Sequence, residues 1–170
     1  MANVIDVDRI FADATQARSA GAAVVIVSLH WDNEFDTAGS AEQRSLADRL
    51  LASPDIDLIV GHGPHVLQPI EVFDGKYALL SVGNLVANQG REHPSTYDGV
   101  ITLITFSPQS DGGFLATAPV VQPTWYDRDA GRVRLVNLAL ADPGLGSLQP
   151  DLSASLTRTK ALLDPYVAAS

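Results

Sequence analysis

The stretch GHGPHVLQP, residues 61–69, places His62 and His65 in one turn rich in glycine and proline. A third histidine, His30, follows another apolar run in AAVVIVSLHW. Imidazole nitrogens bind zinc, manganese and iron, and a metal site needs several ligands on loops that converge. The three histidines are therefore candidate metal ligands. Each of them taken alone is more commonly a structural histidine in an ordinary turn.

Side chains that carry oxygen accompany these histidines. Asp32 and Glu34 follow His30 closely and are candidates to bind metal, to orient an imidazole or to act as a general base. Asn84, in SVGN, offers an amide to a bound phosphate or carboxylate, or completes an Asx turn. Three histidines can hold one zinc ion with an open position for water. A two-metal site would also require the carboxylates.

The elements around these residues predict that they meet at one edge of a sheet. Apolar residues at helical spacing predict a helix over 7–20 with Asp6 as its N-cap, and Ser40 with Gln43 forms a capping box that opens a second helix. Continuous apolar runs over 22–29 and 56–60 predict parallel strands that are buried on both faces. Ligands of open parallel sheets bind at the carboxyl ends of the strands, which is where the histidines stand.

The rest of the chain predicts antiparallel strands and a terminal helix. Asp74-Gly75 is a turn signal inside a hairpin that begins near residue 70. His93 is interpreted as part of a surface loop, and the stretch from Trp125 to Arg128 as a turn rather than a substrate platform. Further strands are predicted over 99–106, 115–121 and 132–138, and an amphipathic helix over 151–166.

The composition describes a globular protein, because 46% of the 170 residues are hydrophobic and only 18% are charged. A net charge of -9 opposes contact with phosphate backbones, so we expect no nucleic-acid partner. Cysteine is absent, which excludes disulfides and thiolate ligands. No signal peptide or membrane-spanning segment is visible.

Three motifs together resemble a known family. VVIVSLHWDNEF, IDLIVGHGPHVLQPIEVFDGK and LLSVGNLV occur in the order found in the poly-γ-glutamate capsule biosynthesis (CapA) proteins. The resemblance runs from about residue 5 to about residue 125. It implies an α/β fold that is part of a metallophosphoesterase-like α/β/β/α sandwich of four layers, with a dinuclear metal centre in the full-length domain.

The resemblance also implies roles for individual residues. Glu34 matches the position of an acid in the family's H-W-G-x-E pattern, Asn84 matches S-x-G-N, and Gln68 matches a recurrent position after the histidines. Asn84 and Gln68 are expected to bind substrate. The expected metal ligands are His30, His62 and His65, and the expected catalytic residues are His30, Asp32 and Glu34.

Two positions depart from the family pattern. Asp32 stands where the family usually has glycine, which adds a carboxylate beside the site. Gly63 stands where many members have a further histidine, which removes one candidate ligand or proton donor. Neither change abolishes the pattern.

The resemblance also sets an expectation for the domain. The family's opening G-D and Asn-His segments find no counterpart, so we expect a C-terminal portion that lacks the N-terminal strands. Residues 1–125 are expected to form this portion, and residues 126–170 an extension whose strand and helix pack on it. An unpaired sheet edge then predicts either a homodimer or pairing with the N-terminal half.

Two functions remain open at this point. The first is a hydrolase of phosphoester or amide bonds in capsule polymer synthesis that depends on Mn, Fe or Zn and acts on an anionic polymer or a phosphorylated small molecule. The second is an inactive binding or accessory module for polymer synthesis or export. The family suggests the cell envelope or the outside of the cell, in association with the membrane.

Overall fold

A computed structural model describes residues 4–31, 34–110 and 113–168. Within these ranges the chain forms two main sheets, a small hairpin and four α-helices. The helices are α1 (Val7–Ser19), α2 (Ala41–Leu51), α3 (Val136–Leu140) and α4 (Gln149–Leu163). The strands are β1 (Ile26–His30), β2 (Leu58–His62), β3 (Ile70–Phe73), β4 (Lys76–Leu79), β5 (Asp98–Leu103), β6 (Phe106–Pro108), β7 (Phe114–Ala116), β8 (Val120–Asp127) and β9 (Arg132–Leu135).

The first two helices begin where the sequence predicts, because local side chains cap them. Asp6 accepts a hydrogen bond from the backbone N–H of Arg9 at 3.1 Å and opens α1. Ser40 accepts from the Gln43 backbone N–H at 3.1 Å, and the Gln43 side chain accepts from the Ser40 N–H at 2.8 Å. This reciprocal pair is the predicted capping box of α2.

The first sheet has the order β1-β2-β4-β3, and it carries the candidate residues. β1, β2 and β4 run parallel, and β3 pairs antiparallel with β4. Asp74 and Gly75 both have positive φ, as the predicted two-residue hairpin turn requires. β2 reaches His62, two residues beyond the predicted end at residue 60, so this histidine closes the strand.

The prediction for β1 was wrong in length and in burial. The strand begins only at Ile26, because the Arg18 guanidinium donates to the carbonyls of Ala22 and Ala23, at 3.2 and 2.6 Å. β1 is also an edge strand whose buried and exposed residues alternate, and Ile26 is 53% exposed. One face packs beneath α1 and α2, while the other face is uncovered by the described residues.

The second sheet, β5-β8-β9, is antiparallel and differs in detail from the predicted strands. The segments predicted over 99–106 and 115–121 are each divided between two strands, and β6 pairs with β7 in a separate hairpin. The strand predicted over 132–138 ends at Leu135 and continues as α3. The domain boundary expected after residue 125 falls inside β8.

The layers confirm an α/β sandwich. α1 and α2 cover one face of the first sheet, and the other face packs against the second sheet through Leu58, Leu79 and Val121. The C-terminal end of α4 joins this second core through Leu163. On the outer face of the second sheet, Ile101, Leu103 and Val120 stay about half exposed or more, so the described residues leave part of the expected fourth layer open. No helix in the described ranges has the length and apolar character to cross a membrane.

Candidate functional site

The ends of β1 and β2 bring two of the histidines together. His30 and His62 are register partners in the parallel pair, so their side chains leave neighbouring strands on the same face. Burial lowers the pKa of His62, and the nearby His30 lowers it further. Both effects favour the neutral form of His62, which is the form that binds metal.

Gly63 turns the chain sharply after β2. Its φ of +116° is unfavourable for any residue with a Cβ, and a Cβ there would lie 2.1 Å from the Trp31 carbonyl oxygen. The histidine that many relatives are expected to carry here does not fit this backbone. The close approach of the two loops explains the glycine.

His65 lies in the next part of the turn and is oriented by Asn84. Nδ1 of His65 is 3.1 Å from Oδ1 of Asn84, and Nδ2 of Asn84 donates to the carbonyls of His65 and Thr96 at 3.1 and 3.0 Å. Because Nδ2 must be the donor to two carbonyls, Oδ1 is an acceptor and Nδ1 of His65 carries the proton. Nε2 of His65 then keeps its lone pair.

The loop after β1 brings a carboxylate to this nitrogen. Oε1 of Glu34 lies 3.9 Å from Nε2 of His65, and both side chains are partly exposed. The Phe35 N–H donates to the Pro64 carbonyl at 2.9 Å, which fastens this loop to the histidine turn. Asp32 lies outside the described residues, so its expected role stays a prediction.

Gln68 differs from its expected place at the substrate. Its side chain is fully buried, and its Nε2 donates to the Asp36 carbonyl at 2.8 Å. Its Oε1 accepts from Nε2 of Gln43 at 2.9 Å. Gln68 therefore braces the loop that carries Glu34 against the start of α2, and we assign it a positioning role.

His93 belongs to the neighbourhood of the site, which the sequence did not indicate. Its ring stacks on Phe35, with ring centroids 4.6 Å apart and planes inclined by 4°. No local pattern around REHPSTYDG carries this information, because the contact joins residues 58 positions apart.

One pair of donors, Glu34 and His65, is spaced as two ligands of one metal ion would be. An ion bound at about 2.0–2.2 Å keeps two ligands roughly 3–4 Å apart, and the 3.9 Å between Glu34 and His65 lies in that range. Among the described residues, however, no group of three or more histidine, aspartate or glutamate side chains is arranged to hold one ion. The described residues alone therefore do not form a complete metal site.

Comparison with known proteins agrees with the motifs. Residues 2–89 match the family model described as bacterial capsule synthesis protein PGA_cap. The chain is 46% identical over 69 residues to the PGA biosynthesis protein CapA of Bacillus subtilis (strain 168), a match that covers 41% of this chain and 18% of the relative. It is 38% identical over 77 residues to the capsule biosynthesis protein CapA of Bacillus anthracis, covering 45% of this chain and 18% of the relative.

A longer match reaches into the second sheet. The chain is 35% identical over 125 residues to a probable polyglutamine synthesis accessory protein of Mycobacterium tuberculosis (strain CDC 1551 / Oshkosh), covering 74% of this chain and 24% of the relative. The matched stretches thus span about a quarter or less of each relative. Because the family model covers more than half of the chain and contains the histidine turn, the chain belongs to the bacterial capsule synthesis protein family PGA_cap.

Proposed function

We propose that this chain acts in the synthesis of a poly-γ-glutamate-type capsule polymer, as a metal-dependent hydrolase domain for phosphoester or amide bonds. The observation that supports this most is the bond between His65 and Asn84, which leaves Nε2 of His65 with a free lone pair beside Glu34. Histidines that bind metal typically donate their other ring N–H to a partner of this kind, which fixes the tautomer and orients the ring.

The proposed metal is Mn, Fe or Zn, held by His30, His62 and His65. When bound, such an ion lowers the pKa of water to near neutrality and polarises a phosphoryl or carbonyl oxygen. His62 supplies a neutral imidazole because burial lowers its pKa. Glu34, near Nε2 of His65, is the proposed general base, and Asp32 is a proposed further ligand or base.

The proposed substrate is an anionic polymer or a phosphorylated small molecule. The net charge of -9 opposes the approach of any such anion. A divalent cation at the histidines would offset this repulsion where the substrate binds. The cell envelope, suggested by the family, is the proposed location.

The first experiment measures metal content per chain by elemental analysis, on protein purified without chelator and offered Mn, Fe and Zn. We expect about one or two equivalents in the wild type and a large loss in His62→Ala and His65→Ala. His93→Ala is the matched control, because it removes a nearby imidazole that is not a proposed ligand. Metal retained equally in all four proteins would refute the proposed ligand set.

A second candidate function is a binding or accessory module without turnover. It is favoured because no three of the described donor side chains are arranged to hold one metal ion, and because one relative is named an accessory protein. In that case His62→Ala would leave polymer binding intact, and the wild type would release no product from phosphoester or amide substrates with any of the three metals. Turnover lost on His62→Ala would instead favour the hydrolase.

A further inference from the structure

A cavity of about 370 Å³ opens beside the histidine turn. Val66, Leu67, Ala161 and Leu162 form much of its wall, and the polar lining residues are Thr37, Ser95, Asp98 and Arg158. A concave, mainly apolar site with a few polar groups is the usual form of a small-ligand pocket.

The cavity is joined to the candidate site through the backbone. Val66 directly follows His65, and Ser95 directly precedes Thr96. The Asn84 side chain donates to the carbonyls of both His65 and Thr96. The Asn84 side chain therefore connects His65 to the two segments of the cavity wall that contain Val66 and Ser95.

Arg158 is the charged donor of this cavity, and it is held in place. Its Nε and Nη2 donate to the two carboxylate oxygens of Asp98 at 2.6 and 2.9 Å, and Nη2 also approaches the Pro94 carbonyl at 3.5 Å. The Asp98 side chain is only 3% exposed, whereas that of Arg158 is 32% exposed. Within the described ranges Nη1 of Arg158 has no hydrogen-bond acceptor, so this nitrogen is available to a ligand.

We propose that this cavity binds a carboxylate joined to a short methylene chain, with the carboxylate on Nη1 of Arg158 and the methylenes along Ala161 and Leu162. Asp98 already balances the charge of Arg158, so a singly charged carboxylate suits the site better than a doubly charged phosphate. The apolar walls exclude water around the methylenes and stabilise them by burial. That the ligand is a glutamyl unit of the polymer rests on the proposed function.

The test uses a γ-linked glutamyl tetramer as the probe, with binding measured by titration calorimetry or by amide shifts in NMR spectra. Ala161→Trp should weaken binding at least tenfold, because Ala161 is an exposed wall residue and a large ring there blocks the cavity without breaking the Arg158 pair. Ala154→Trp, on the same helix and equally exposed but outside the cavity, should bind like the wild type. The tetramer with its carboxylates as methyl esters should also bind at least tenfold more weakly.

Several results would overturn the inference. These are no binding to the wild type, equal binding to both tryptophan variants, or equal binding of the esterified tetramer. Metal content, measured on the same proteins, distinguishes a failure of the proposed cavity site from a failure of the proposed metal-dependent hydrolase. Glutamyl binding that depends on residue 161 in a chain that takes up no metal would leave the cavity site standing and refute the metal-dependent hydrolase.

Discussion

Replacing Asn84 by alanine should remove the hydrogen bond that orients the His65 ring and change the preferred tautomer of its imidazole. Asn84→Ala removes three hydrogen bonds near 3 Å, the Nδ1–Oδ1 contact at 3.1 Å and the two amide bonds to carbonyls at 3.1 and 3.0 Å, together with a longer contact to Gln89 at 3.4 Å. At roughly 1 kcal/mol each, the free energy of unfolding should fall by about 2–3 kcal/mol. Loss of the partner that orients a ligating histidine typically costs about 10–100-fold in metal affinity.

The decisive readout is the tautomer of His65, measured from its imidazole ¹⁵N chemical shifts. In the wild type we expect the proton on Nδ1, whereas free imidazole side chains favour Nε2. Asn84→Ala should shift the proton toward Nε2, and the loss of stability should appear in urea unfolding. Gln89→Ala is the matched control, because it removes only the longer 3.4 Å contact to the same amide.

Two findings would contradict this reasoning. A wild-type His65 protonated on Nε2 would show that Asn84 does not set the tautomer. A tautomer left unchanged by Asn84→Ala would show that something other than the amide orients the ring. In either case the argument for Nε2 as a ligand atom would fail, even if the chain binds metal.

Three further predictions concern stability. Gln43→Ala should lower the free energy of unfolding by about 2 kcal/mol, measured with urea, because this side chain both caps α2 and donates to the buried Gln68 amide. A change within experimental error would contradict the proposal that Gln68 holds the loop against the start of α2. Burial acts to raise the pKa of Asp127, but hydrogen bonds from the Ala130 N–H and Arg134 outweigh it, so the pKa is lowered. The ionised Asp127 therefore stabilises the fold above its unfolded pKa of about 4. This contribution is lost as the pH falls through the lowered pKa of the folded state. The stability difference between wild type and Arg134→Gln should therefore shrink as the pH falls below about 4, and a constant difference would refute the pairing. Gly63→Ala should destabilise the chain far more in thermal unfolding than Gly75→Ala, because both have positive φ but only Gly63 faces a carbonyl at 2.1 Å; equal losses would exclude the steric argument.

The sequence was most informative where structure is decided locally. The caps at Asp6 and Ser40 and the turn at Asp74-Gly75 involve residues at most three apart, and all three were predicted correctly. The meeting of His30 and His62 was also predictable, since parallel strands end at the same edge.

Contacts between distant segments could not be predicted. A buried strand and an edge strand of similar composition look alike in sequence, so the exposed face of β1 was missed. The stacking of His93 on Phe35 and the pairing of Arg158 with Asp98 join residues 58 and 60 positions apart. Gln68 looked like a ligand-binding amide because a polar residue after a histidine turn gives no sign of whether it faces solvent or another buried amide.

The edge position of β1 links the surroundings of His30 to the association of this sheet edge with other strands. His30 ends a strand that lies at the edge of its sheet in the described part of the chain, and Ile26 at the start of the same strand is exposed. Any strand that added to this edge would bury Ile26 and change the dielectric surroundings of His30 in the same step. The imidazole at this edge would then respond to what the chain is bound to, so that occupancy of the edge and reactivity at the histidines would vary together.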